Sequence, residues 1–146
     1  CRWCDPGKIK KKYNTLQQKN WLVLSYKDLN FKHREEKKKI AKIIGFSAGA
    51  EAAVNFFQQH PRAELILIDP WVNNKTARNL KKLQEKGQQY KYIGPSCFLT
   101  KDHRNGAKHM ERLKMLGHWS ESSECREGSF VEGHTSYLKD FFDSLQ

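Results

Sequence analysis

Ser47 is the residue whose surroundings most strongly suggest chemistry. It stands in Gly45-Phe46-Ser47-Ala48-Gly49, a G-x-S-x-G turn that the apolar pair Ile43-Ile44 enters and the small-residue stretch Ala50-Glu51-Ala52-Ala53 leaves. This is the sequence form of a nucleophile elbow, where a strand reverses sharply into a helix and holds a serine out of the turn. A nucleophile at such a turn is forced to positive φ, which is costly for any residue with a Cβ. Gly45 and Gly49 then lie too close to their neighbours to carry side chains. Ala48, Ala50, Ala52 and Ala53 let the helix pack close to a sheet, and the helix start aims N–H groups at negative charge forming near Ser47. The plainer reading of the same residues is a β–turn–α connection with serine as helix cap.

A serine hydroxyl is a weak nucleophile until a base takes its proton, and the base needs an acid to orient it. In a parallel α/β sheet those groups come from the carboxyl ends of strands, where ligands bind. Two further positions qualify. Asp102 follows the expected strand Ser96–Thr100, and His134 follows a brief expected strand, Ser129-Phe130-Val131. Serine, acid and histidine thus occur in that order, each at a strand end.

The elements that must position them can be read from hydrophobic pattern and turn chemistry. Trp21–Tyr26, Ile40–Phe46 and Glu64–Pro70 read as strands; the last is almost wholly apolar before Asp69, as expected of a strand covered on both faces. Helices are expected over Lys8–Gln18, Asn30–Lys39, Ala48–Gln59, Ala77–Lys86, Asn105–Leu116 and Tyr137–Leu145, with Met110, Leu113 and Leu116 as the inward stripe of the fifth. Of the two pieces flanking Gly94-Pro95, Ser96–Thr100 is taken as a strand in preference to Tyr90–Ile93, because Pro95 suits the start of a strand. Alternating strands and helices predict a three-layer α/β/α domain with a mostly parallel sheet.

Along this path the chain resembles the α/β-hydrolase superfamily over about its C-terminal three-quarters, as a reduced version of that fold. Phe98-Leu99-Thr100-Lys101-Asp102-His103 resembles the strand that presents the family's triad acid, Val131-Glu132-Gly133-His134 its histidine loop, and Glu64–Pro70 the strand after the nucleophile helix. The resemblance implies Ser47 as nucleophile, His134 as general base and then acid, and Asp102 as its orienting acid. Asp69 is the alternative acid, since some members carry it after that strand. An oxyanion hole is implied from the Ala48 N–H and one N–H of Cys4-Asp5. The implied activity is hydrolysis of a small-molecule ester or thioester through an acyl-enzyme, without metal or organic cofactor. The chain departs from the family in having no counterparts of its first two strands and at most Arg2–Cys4 for the third, the usual neighbour of the nucleophile strand. Upstream sequence or a partner's strand would then complete the sheet, unless the protein is a reduced variant.

Length and composition bound the rest. The 146 residues suit one domain over 1–146, and one helix fills the space between Asp69 and Asp102, leaving no room for a lid. There is neither a membrane-spanning apolar run nor a signal-peptide pattern, so the cytoplasm is the expected location. Cys1 and Cys4 form a C-x-x-C, whereas Cys97 and Cys125 stand apart, so a zinc site lacks its second close pair and a redox role is a minor alternative. The net charge of +11, from 27 basic and 16 acidic residues, is spread mostly over expected helices and mixed with acids, so solvated helix faces are its plain reading; the other is a substrate with an anionic part. An inactive relative whose basic surface binds nucleic acid or an acidic partner is the second expectation. His33, His60, His109 and His118 lie in charged surroundings and read as surface residues.

Overall fold

The computed structural model describes residues 20–24, 40–95, 104–123, 126 and 130–144. The expected helices before Trp21 and over Asn30–Lys39, the strand Ser96–Thr100, His33 and all four cysteines lie outside them.

Four strands, β1 (Trp21–Leu24), β2 (Lys42–Phe46), β3 (Glu64–Ile68) and β4 (Lys91–Ile93), form one parallel sheet in the order β1-β2-β3-β4. The described helices are α1 (Ala50–Gln59), α2 (Asn74–Glu85), α3 (Gly106–Met115) and α4 (Phe130–Asp143), with a 3-10 turn, Ser47–Gly49, between β2 and α1. Parallel strands laid down in sequence order, joined by crossovers of one hand, put the connecting helices on one face. That is the arrangement found: α1, α2 and α3 pack over one face and α4 over the other, giving three α/β/α layers.

The two cores follow from the side-chain alternation of strands. Leu22, Leu24, Ile43, Leu65 and Leu67 point towards α1–α3, where Val54, Phe57, Leu80 and Leu113 meet them. Val23, Ile44, Phe46, Ile66 and Ile68 point towards α4, against Tyr137, Leu138 and Phe142. Every residue of Leu65–Ile68 is at most 1% exposed, which explains the unbroken apolar run. Phe142 is the main aromatic plug of the α4 layer, and its truncation to alanine would cost about 3–5 kcal/mol.

Several local expectations are corrected. Lys91–Ile93, passed over in favour of the piece after Gly94-Pro95, is a strand pairing with Ile66–Ile68. Phe130 and Val131, expected in a brief strand, are the first residues of α4, which begins well before Tyr137. β1, Trp21–Leu24, pairs directly with β2, the strand leading to Ser47, so the sheet is continuous where a gap was expected. In α3, His109 shares the buried stripe with Leu113 while Met110 is half-exposed. α2 starts three residues early, because the Asn73 side chain caps it by accepting from the Thr76 N–H at 2.8 Å.

Candidate functional site

Phe46, Ile68 and Ile93 are register partners across β2, β3 and β4. The residue after each one adopts positive φ: Ser47 at 54°, Asp69 at 40° and Gly94 at 90°. Two of the three carry side chains, and among the described residues they are the only non-glycine residues at positive φ. Each such residue costs roughly 1–3 kcal/mol, and positions like these gather at functional sites. The carboxyl edge of the sheet is therefore strained, with a hydroxyl and a carboxylate on adjacent strand ends.

The elbow at Ser47 is closely built. A Cβ on Gly45 would lie 2.7 Å from the Ala53 Cβ and 3.0 Å from the Ala50 Cα, so only glycine lets α1 approach β2 this closely. Gly49 is buried at φ −71°, an ordinary helical value, so its backbone conformation does not itself demand glycine. The Ser47 carbonyl accepts from the Ala50 N–H and, at 2.8 Å, from the Trp71 N–H in the loop after β3. Ala48 is the second residue of the helical turn, in the region where N–H groups lack partners within the helix.

The loop that grips Ser47 is itself braced. Asn73 Nδ2 donates to Glu51 Oε2 on α1 at 3.2 Å, and Arg112 on α3 donates to the Val72 carbonyl at 3.1 Å and to Asn74 Oδ1 at 3.0 Å. Trp71, half-buried, sets its ring edge-on to buried His109, with centroids 4.5 Å apart.

Across the sheet edge lies His134. Its Nδ1 is 2.5 Å from Asp69 Oδ2, and its ring stacks on Phe46, the residue before Ser47, with centroids 4.7 Å apart. A carboxylate only accepts, so Nδ1–H donates and the basic lone pair sits on Nε2. Asp69 is fully buried and His134 is 4% exposed. Beside them, burial and then the Asp69 carboxylate push the Tyr137 phenol pKa up. Gly94 keeps this corner open, since a Cβ there would come within 3.0 Å of Asp69 Oδ1 and 3.2 Å of the Tyr137 ring. Arg126 ties down α4 around the histidine: its guanidinium covers the Tyr137 ring at 4.1 Å, donates to Ser136 Oγ and pairs with Asp140 at 2.6 Å.

Of the residues singled out in the sequence, Asp69 and His134 are hydrogen-bonded to each other, and Ser47 and Ala48 follow the adjoining strand β2. Asp102, and the Cys4 and Asp5 of the implied oxyanion hole, lie outside the described residues. The carboxylate bonded to His134 is the alternative acid, Asp69. His134 arrives in the first turns of a helix, not on a loop after a strand. Of the described histidines expected at the surface, His109 is instead buried, while half-buried His60 and His118 stack on Phe56 at 4.4 Å and on Tyr92 at 4.1 Å. Sequence reading missed Trp71, Arg126 and Tyr137 as parts of the site. Nothing local in the sequence marked these three.

Among the described residues no cluster of histidine, cysteine, aspartate and glutamate could hold a metal ion, and no helix is long and apolar enough to cross a membrane. No family model, no curated protein and no solved structure matches the chain.

Proposed function

We propose that the protein is a serine hydrolase that cleaves an ester or thioester through an acyl-enzyme on Ser47. The observation that carries this reading is the Asp69–His134 hydrogen bond, at 2.5 Å, set beside a serine at positive φ on the adjoining strand end. Ser47 Oγ attacks the acyl carbonyl while His134 Nε2 takes its proton. Asp69 holds the imidazole in the required tautomer and stabilises the imidazolium that forms. The Ala48 N–H, at the positive end of the helical turn, faces the developing oxyanion. Protonated His134 then gives its proton to the leaving alcohol or thiol. Water, deprotonated by His134, releases the acid and restores Ser47.

The basic surface suits a substrate with an anionic part. No metal or organic cofactor is needed for this chemistry.

Labelling with a fluorophosphonate probe tests the reading, comparing the parent with Ser47→Ala, His134→Ala and Asp69→Asn. Covalent labelling of the parent that Ser47→Ala abolishes is the expected result. A folded parent that does not label would overturn it.

A further inference from the structure

The two helical layers carry their charge differently. On the α4 side the described charges cancel in pairs: Arg126 with Asp140 at 2.6 Å and Lys139 with Asp143 at 2.8 Å. On the opposite layer, α2 exposes Lys75, Arg78, Lys81, Lys82 and, at its C-cap, Lys86, against one acid, Glu85. None of these five bases makes an ion pair among the described residues. Lys75, Arg78, Lys82 and Lys86 follow one another at intervals of three, four and four residues, so they share one line of the helix. At 1.5 Å per residue that line is about 16 Å long. Like charges three or four residues apart weaken a helix in isolation, and although Lys82 and Lys86 suit the C-terminal end of the helix dipole, Lys75 in the first turn does not.

We propose that the exposed face of α2 binds the phosphate backbone of double-stranded nucleic acid. One strand of a duplex carries a phosphate every ~3.4 Å, so about five phosphates lie along the ladder's length. The exposed positions of α2 are Asn74, Lys75, Arg78, Lys81, Lys82 and Glu85, with no aromatic residue on which unpaired bases could stack. They include no apolar residue either, whereas helices that lie on membranes set apolar side chains beside their bases. A paired, sequence-independent backbone contact suits such a face. The ladder does not depend on the Ser47 chemistry.

The test is fluorescence anisotropy of a labelled 20-base-pair duplex with the full chain between 50 and 200 mM KCl. Five phosphate contacts predict that the ladder's share of affinity falls roughly 500-fold over that range. Replacing Lys75, Arg78, Lys81, Lys82 and Lys86 with glutamine should lower the slope of log affinity against log salt by about five. If circular dichroism shows that variant unfolded, the pair Arg78→Gln and Lys82→Gln carries the test, with an expected slope change of about two. Arg62→Gln with Lys139→Gln, outside α2, should leave binding unchanged, as should Ser47→Ala. Parental salt dependence in a folded ladder variant would overturn the proposal. So would a parent that sediments with phosphatidylserine vesicles yet ignores the duplex.

Discussion

Two histidines in this protein sit in nearly the same local geometry. His134 stacks on Phe46 and reaches Asp69 at 2.5 Å; His118 stacks on Tyr92 and reaches the Tyr90 hydroxyl from Nε2 at 2.5 Å. What differs is the partner and the neighbour. Asp69 is a carboxylate, able to stabilise an imidazolium, and it lies one strand from a serine at positive φ. Tyr90 is a phenol whose own pKa is raised to about 12, chiefly by burial, and its oxygen already accepts from Gln84 Nε2 at 3.1 Å. Burial also holds the His118 pKa below its ordinary value. The phenol O–H therefore donates to a neutral ring, and the cluster acts as a peg joining α2, β4 and the residues after α3. Of the two, His134 alone pairs with a buried carboxylate next to a strand-end serine, and for that reason it is the general base of the proposed reaction.

The largest effects should separate these two histidines. Ser47→Ala and His134→Ala should abolish labelling by the fluorophosphonate probe. Asp69→Asn should slow it by about 10⁴-fold through the wrong tautomer, the size of effect seen when a triad acid is neutralised. His118→Gln should leave the labelling rate unchanged, and a loss comparable to that of His134→Ala would erase the distinction drawn here.

Next in size is the packing that sets the elbow. Gly45→Ala forces a methyl against Ala53 and the α1 backbone and should destabilise the fold by about 1–3 kcal/mol, read from urea denaturation. A neutral result would mean that α1 moves away from β2 at little cost.

The peg should show itself in stability alone. Tyr90→Phe removes the hydroxyl between Gln84 and His118 and should cost about 1 kcal/mol. Because the folded pKa of His118 lies below 6.5, the unfolded chain binds more protons as the pH falls through that value. Its contribution to stability is therefore intact above pH 6.5 and declines on acidification. His118→Gln should flatten that part of the stability–pH curve, and an unchanged curve would remove His118 as its source.

The smallest effect has the opposite sign. Ser47→Gly should relieve the φ of 54° and stabilise the protein by about 1 kcal/mol while ending reactivity. Destabilisation instead would show that the serine side chain supports the fold it strains.

Much of the fold was legible because its signals are local. The runs at Trp21, Ile43 and Leu65 name strands covered on two faces, Gly45-Phe46-Ser47-Ala48-Gly49 names the turn, and Ala50 and Ala53 announce a helix pressed close to the sheet. The candidate site was less legible. The choice between Asp69 and Asp102 is a question of which carboxylate lies within reach of a histidine 65 residues from Asp69, and a sequence does not contain that distance. Asp69 meets His134 because β3 pairs directly with β2 and α4 closes over that face. Phe130 and Val131 look strand-like as an isolated aromatic and β-branched pair, yet helical hydrogen bonding claims them, as tertiary context often overrides propensity. His109 and His118 stand among charges in the sequence, but α3 turns the first into the core and ring stacking covers the second. By itself, then, the sequence determined the α/β/α layering and the tight turn at Ser47, since these rest on periodicity and on residues that such a turn requires. The pairing of Asp69 with His134 and the separation of a basic face from a neutral one were decided by tertiary structure, because each depends on which distant elements share an edge or a layer.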